Sequence, residues 1–88
     1  MLSKIENINI TTYEYKNGTM IEIVEKDDSF EAWIYDENYG VKDLMWGEPI
    51  HNTRFGKPYV QTYENFVKLV EENIEEYIED YYDLANGF

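Results

Sequence analysis

The stretch 62–87 leaves this chain the least freedom. At about 100° per residue, Tyr63, Phe66, Val67, Val70, Ile74, Tyr77, Ile78, Tyr81, Leu84 and Ala85 share one arc. Glu71, Glu72, Glu75, Glu76, Glu79, Asp80 and Asp83 occupy the opposite side, with Glu64 on its flank. The spacing predicts one amphipathic helix over about 62–86, opened by the Thr62 hydroxyl as N-cap and closed by Gly87 just past its end. Such a helix needs an apolar surface to lie on, and its wet face is almost pure carboxylate.

The first half of the chain supplies that surface. Residues 8–12 alternate as a strand does, 13–16 continue in the other phase, and Asn17-Gly18 follows, the dipeptide that suits a type I′ turn because both positions take positive φ. A two-residue loop there sets Lys16 opposite Thr19, Tyr15 opposite Met20 and Thr12 opposite Ile23. One face then carries Ile8, Ile10, Thr12, Ile21 and Ile23, and the other Tyr13, Tyr15, Met20, Glu22 and Val24. A second turn at Asp27-Asp28 returns the chain through 29–35, adding Phe30, Ala32 and Ile34 to the isoleucine face and Trp33 and Tyr35 to the aromatic one.

After a turn at 36–40, residues 41–46 read as a fourth, shorter strand, and 47–61 as a long loop punctuated by two glycines and both prolines. The expected fold is α+β: a three- to four-stranded antiparallel meander over about 8–46, with one long helix across its isoleucine face, in a single domain spanning 1–88. A polar substitution at Ile23 or Ile74 is expected to unfold it, and thermal melting of Ile74→Asp tests that placement.

Charge narrows the function classes. Seven Lys and Arg stand against nineteen Asp and Glu, a net −12. Residues 1–60 carry six bases and eleven acids, whereas 61–88 carry Lys68 against eight acids. Direct nucleic-acid binding needs basic groups that displace counterions, and an anionic membrane surface repels this chain in the same way. A basic partner is what the field attracts. Without cysteine there is no disulfide or thiolate site. Residues 1–7 have neither an apolar signal core nor an arginine-rich presequence, so a cytoplasmic location is expected.

The acidic face is the first candidate site. Five like-charge pairs stand four residues apart, 71/75, 72/76, 75/79, 76/80 and 79/83, together opposing the helix by roughly 1–2.5 kcal/mol. Asp80 and Asp83 also face the negative end of the helix dipole. Solvation alone gives one account of this stripe; a partner-binding surface gives the other, with Leu69 and Tyr82 as apolar anchors amid steering charge. The aromatic sheet face, Tyr13, Tyr15, Met20, Trp33 and Tyr35, is the second candidate: a homodimer or docking interface, unless 41–60 folds over it with Trp46, Phe55 and Tyr59 as cover.

Catalysis finds little support. Acid–base pairs of carboxylates need contrasting environments, and these share one solvated face. No EF-hand or Glu-x-x-His spacing exists, the single histidine, His51, lies in the 47–61 segment, and no phosphate loop or nucleophile elbow appears, so no metal or cofactor is expected. In general character (small, acidic, cysteine-free, rich in Tyr, Asn and Ile) the chain resembles the accessory inhibitors carried by phages and mobile elements, which implies a protein partner. The leading expectation is a non-enzymatic binding protein that covers a basic, nucleic-acid-binding surface, as a nucleic-acid mimic or an immunity protein. The alternative is an assembly module that pairs through the aromatic face.

Overall fold

The computed structural model describes residues 8–16 and 18–87. Strands β1 (Asn9–Glu14), β2 (Thr19–Glu25), β3 (Ser29–Asp36) and β4 (Lys42–Pro49) form one antiparallel sheet in the order β1-β2-β3-β4. Strands β5 (His51–Arg54) and β6 (Lys57–Val60) pair as a separate ribbon, and helix α1 (Tyr63–Ala85) crosses the sheet. The α+β meander with one long helix over it is therefore the fold.

The β2–β3 turn is the two-residue one that the sequence predicts. The Lys26 amide donates to the Ser29 carbonyl at 2.9 Å, and Ile21 faces Ile34 and Ile23 faces Ala32. The β1–β2 turn departs by one residue. The Thr19 amide donates to the Lys16 carbonyl at 3.1 Å, while the Tyr15 amide donates to the Thr19 carbonyl at 2.8 Å. Tyr15 and Lys16 thus share Thr19 as partner, which makes Lys16 an extra residue in a bulge beside Gly18 (φ 82°). Asn17 itself lies outside the described residues.

That one residue turns β1 over. Tyr13 faces Ile21, Thr11 faces Ile23 and Ile10 faces Val24, and directly opposed residues share a side of the sheet. The expected isoleucine face loses Ile8 and Ile10, which are 48% and 59% exposed. Tyr13 and Tyr15 move to the helix side in their place.

The core forms where the helix arc meets β2, β3 and β4. Phe66, Val70, Ile74 and Tyr81 pack on Ile21, Ile23, Phe30, Ala32, Ile34 and Met45, and the Phe30 and Phe66 rings stack at 5.3 Å. Met45 reaches this layer because the β3–β4 register shifts between Ala32 and Trp33. Thr62 caps α1 by accepting from the Asn65 amide at 3.2 Å. At the other end the Tyr81 hydroxyl accepts from the Asp36 amide at 2.9 Å and donates to the Val41 carbonyl at 2.5 Å. Leu84, expected on the buried arc, is 50% exposed. Tyr81 already reaches the last residue of β3, so one turn further no strand remains to cover it.

The expected long loop over 47–61 is also replaced. β4 continues to Pro49, and β5 and β6 turn through Phe55 (φ 53°) and Gly56 (φ 75°), the two positive-φ positions of a type I′ turn. Phenylalanine pays about 1–2 kcal/mol there, and Pro58 sits inside β6 opposite Thr53. Every residue from 51 to 60 except Tyr59 is exposed. Nor does this segment cover the open side of the sheet. Trp46 packs edge-on against Tyr77 at 6.3 Å on the helix side, Phe55 is fully exposed at the ribbon tip, and Tyr59 lies under Arg54 at 4.2 Å.

Candidate partner-binding surface

Helix geometry sets the seven carboxylates in order. Glu71, Glu72, Glu75, Glu76, Glu79, Asp80 and Asp83 are all exposed on α1, with Glu71 and Glu75 at its edge towards β1. At about 1.5 Å per residue the stripe runs about 18 Å, or one carboxylate per roughly 3 Å. Among the described residues only Glu75 of this set has a cation partner, Lys16 at 3.3 Å, an exposed pair on the β1–β2 turn. The Tyr15 hydroxyl also donates to Glu75. These two donors, Tyr15 first, hold the Glu75 carboxyl below its usual range. The same contacts raise Tyr15 and Lys16. The extra residue in the β1–β2 turn is what brings Tyr15 and Lys16 to the helix.

The two residues read as anchors have other surroundings. Leu69 is half-buried beside a hollow of about 270 Å³ at the foot of the ribbon, shared with Arg54, Tyr59 and Lys68. Tyr82 is turned inward. Its hydroxyl meets Thr19 Oγ1 at 2.6 Å and donates to Asp36 at 2.8 Å, and its ring meets Tyr39 and Tyr81 edge-on. The Asn38 amide and the Tyr82 hydroxyl together hold Asp36 below the usual carboxylate range. Tyr82 is thus occupied at the joint between helix and sheet.

The aromatic set divides. Tyr13, whose hydroxyl lies 2.7 Å from that of Tyr63, and Tyr15 border a groove of about 170 Å³ between β1 and α1, floored by Ile21, Ile23, Val70 and Ile74 and edged by Val67 and Glu71. The bond to Tyr63, partial burial and the nearby Glu71 raise the Tyr13 hydroxyl above its ordinary value. Met20, Trp33 and Tyr35 stay on the open side of the sheet, half-buried. Lys42 lies over the Trp33 and Tyr35 rings at 5.7 and 5.6 Å and pairs with Glu22 at 2.7 Å.

Two features escape sequence reading, the β1–α1 groove and the projecting ribbon. Both follow from positive-φ turns, and only the Gly18 and Gly56 positions carried a hint of them. Among the described residues no group of three or more His, Asp or Glu converges as metal ligands do, and no helix is long and apolar enough to cross a membrane. Comparison with known protein families, with curated proteins and with solved structures found no match.

Proposed function

We propose that this protein is a non-enzymatic acidic binding protein of the cytoplasm that covers a basic, nucleic-acid-binding surface of another protein. The carboxylate stripe of α1 carries this reading. Projected on the helix axis its charges average one per roughly 3 Å, close to the one per about 3.4 Å of axis that one strand of duplex DNA carries. All seven groups stand in solvent on a helix whose core side fixes their orientation, so a row of Lys and Arg on a partner meets a preformed array. The array opposes its own helix by roughly 1–2.5 kcal/mol through like-charge pairs, and a basic partner relieves that repulsion.

The test is capture of a DNA- or RNA-binding protein from lysate on the immobilised chain, with elution in salt steps and by competing duplex DNA. The parallel arm changes Glu71, Glu72, Glu75, Glu76 and Glu79 to Gln. Release by moderate salt and by DNA, with no capture on the Gln variant, is the expected result. Equal capture by both chains overturns the reading.

A second reading has its own observation. The open side of the sheet keeps Met20, Trp33 and Tyr35 partly in water, and its Lys42–Glu22 and Lys26–Glu31 pairs make it nearly charge-balanced on a molecule of net −12. Two copies meeting there escape most of the repulsion met elsewhere. In that assembly module the acidic helix only confers solubility. A two-fold dimer that survives high salt and dissociates with Trp33→Ala favours it.

A further inference from the structure

The ribbon and the groove are complementary, and one molecule does not bring them together. Phe55 is 101% exposed at the ribbon tip, so its ring touches nothing in its own chain. Arg54 and Lys57, paired across β5 and β6, flank it. Residues 51–60 contain no acid, in a chain of net −12. The β1–α1 groove offers about 170 Å³ lined mostly by aliphatic and tyrosine side chains, and an apolar cavity of about 150 Å³ suffices for a benzene-sized ring. Glu71 stands exposed among its lining residues. Ring and groove agree in size and polarity, and the basic pair beside the ring is opposite in charge to the carboxylate beside the groove.

We propose that the chain self-associates head to tail, with the Phe55 ring of one copy seated in the β1–α1 groove of the next and the Arg54–Lys57 pair facing Glu71. The contact joins two different surfaces, so each copy keeps one ring and one groove for further copies, and the series closes as a ring or extends. Glu71 belongs both to the groove and to the carboxylate stripe. Self-association therefore occupies one end of the acidic face and competes there with a basic partner.

Sedimentation velocity of the full chain over a concentration series tests this at about 0.15 M salt, where screening beyond about 8 Å damps the repulsion between copies. The wild-type chain is expected to grow in mass with concentration. Phe55→Ser, at a position with no contacts to lose, weakens that growth at least about tenfold. Val67→Trp, at a residue that lines the groove and with a side chain that fills it, and Glu71→Lys, at an exposed position, weaken it as well. The decisive sample mixes Phe55→Ser with either groove variant. One retains a groove and the other a ring, so the mixture forms a 1:1 dimer and nothing larger. A wild-type chain that stays monomeric overturns the proposal, as does self-association indifferent to Phe55→Ser. So does a mixture that stays monomeric when circular dichroism shows both chains folded. Phe55→Ser leaves every helix carboxylate in place, so capture of a basic partner stands or falls separately.

Discussion

On the helix side of the sheet Ile23, Ala32 and Ile34 are 1% exposed or less, whereas on the other side Met20, Trp33 and Tyr35 keep part of their surface in water. The same strands build both sides. One 23-residue helix dries a single face, and the second face is managed by long side chains. Lys42 lays its stem and charge over two rings and ties to Glu22, and Lys26 ties to Glu31. The comparison teaches how a small domain apportions its protection: packing where a helix is to hand, amphipathic cover where none is.

Large-to-small substitution gives the widest separation between the two sides. Phe66→Ala should cost about 3–5 kcal/mol, while Trp33→Ala should cost about 1–2 kcal/mol, since it loses neighbours on β2 and β4, one lysine contact and the indole N–H bond to Glu31 at 3.3 Å. Urea titrations of both variants measure the difference, and equal losses would erase the distinction between the sides.

Deleting Lys16 tests how β1 is divided between them. The deletion removes the extra residue, and a two-residue Asn17-Gly18 loop then closes on Tyr15 and Thr19 with Tyr13 still opposite Ile21. Stability should change by less than about 1 kcal/mol, the worth of the exposed Lys16–Glu75 pair. A collapse of the melting transition would show that the bulge itself holds β1 in place.

Acid acts on the helix side through Asp36, which is buried opposite Thr19. Its folded-state carboxyl lies below the ordinary range because the Asn38 amide and the Tyr82 hydroxyl favour the charged form. As pH falls through the ordinary carboxylate range towards that lower value, the unfolded chain takes up the proton first. Stability therefore drops in this window and is fully present above it. Asp36→Asn should flatten part of the slope in melting temperature against pH below about 4. Glu75, shifted the same way by Tyr15 and Lys16, contributes to the slope that remains.

Legibility in the sequence followed the strength of local rules. The helix was plain from its arc, its Thr62 cap and its glycine stop, and the β2–β3 register from the alternation of Phe30, Ala32 and Ile34. The acids were equally plain, because outward carboxylates need no tertiary partner. Asn17-Gly18 marked a turn but not the extra Lys16, and a period-2 pattern converts that single residue into a wrong face for Ile8, Ile10, Tyr13 and Tyr15. The ribbon stayed hidden because Phe55 adopts a conformation that favours glycine and asparagine, and Pro58 argues against a strand. The groove depends on both the flipped β1 and the docked helix, so no local pattern announces it.

The two tyrosines at the end of α1 have a consequence for motion. No basic residue stands in the last turn, and Asp80 and Asp83 oppose the dipole there, so an isolated helix would fray from this end. Tyr81 and Tyr82 instead fasten the last turns to Asp36 and Val41, on either side of the β3–β4 turn. Opening of the helix end and of that turn becomes a single event. Backbone amides of 37–41 and 79–85 should then exchange their hydrogens with solvent at a common rate, and Tyr81→Phe should speed both segments together.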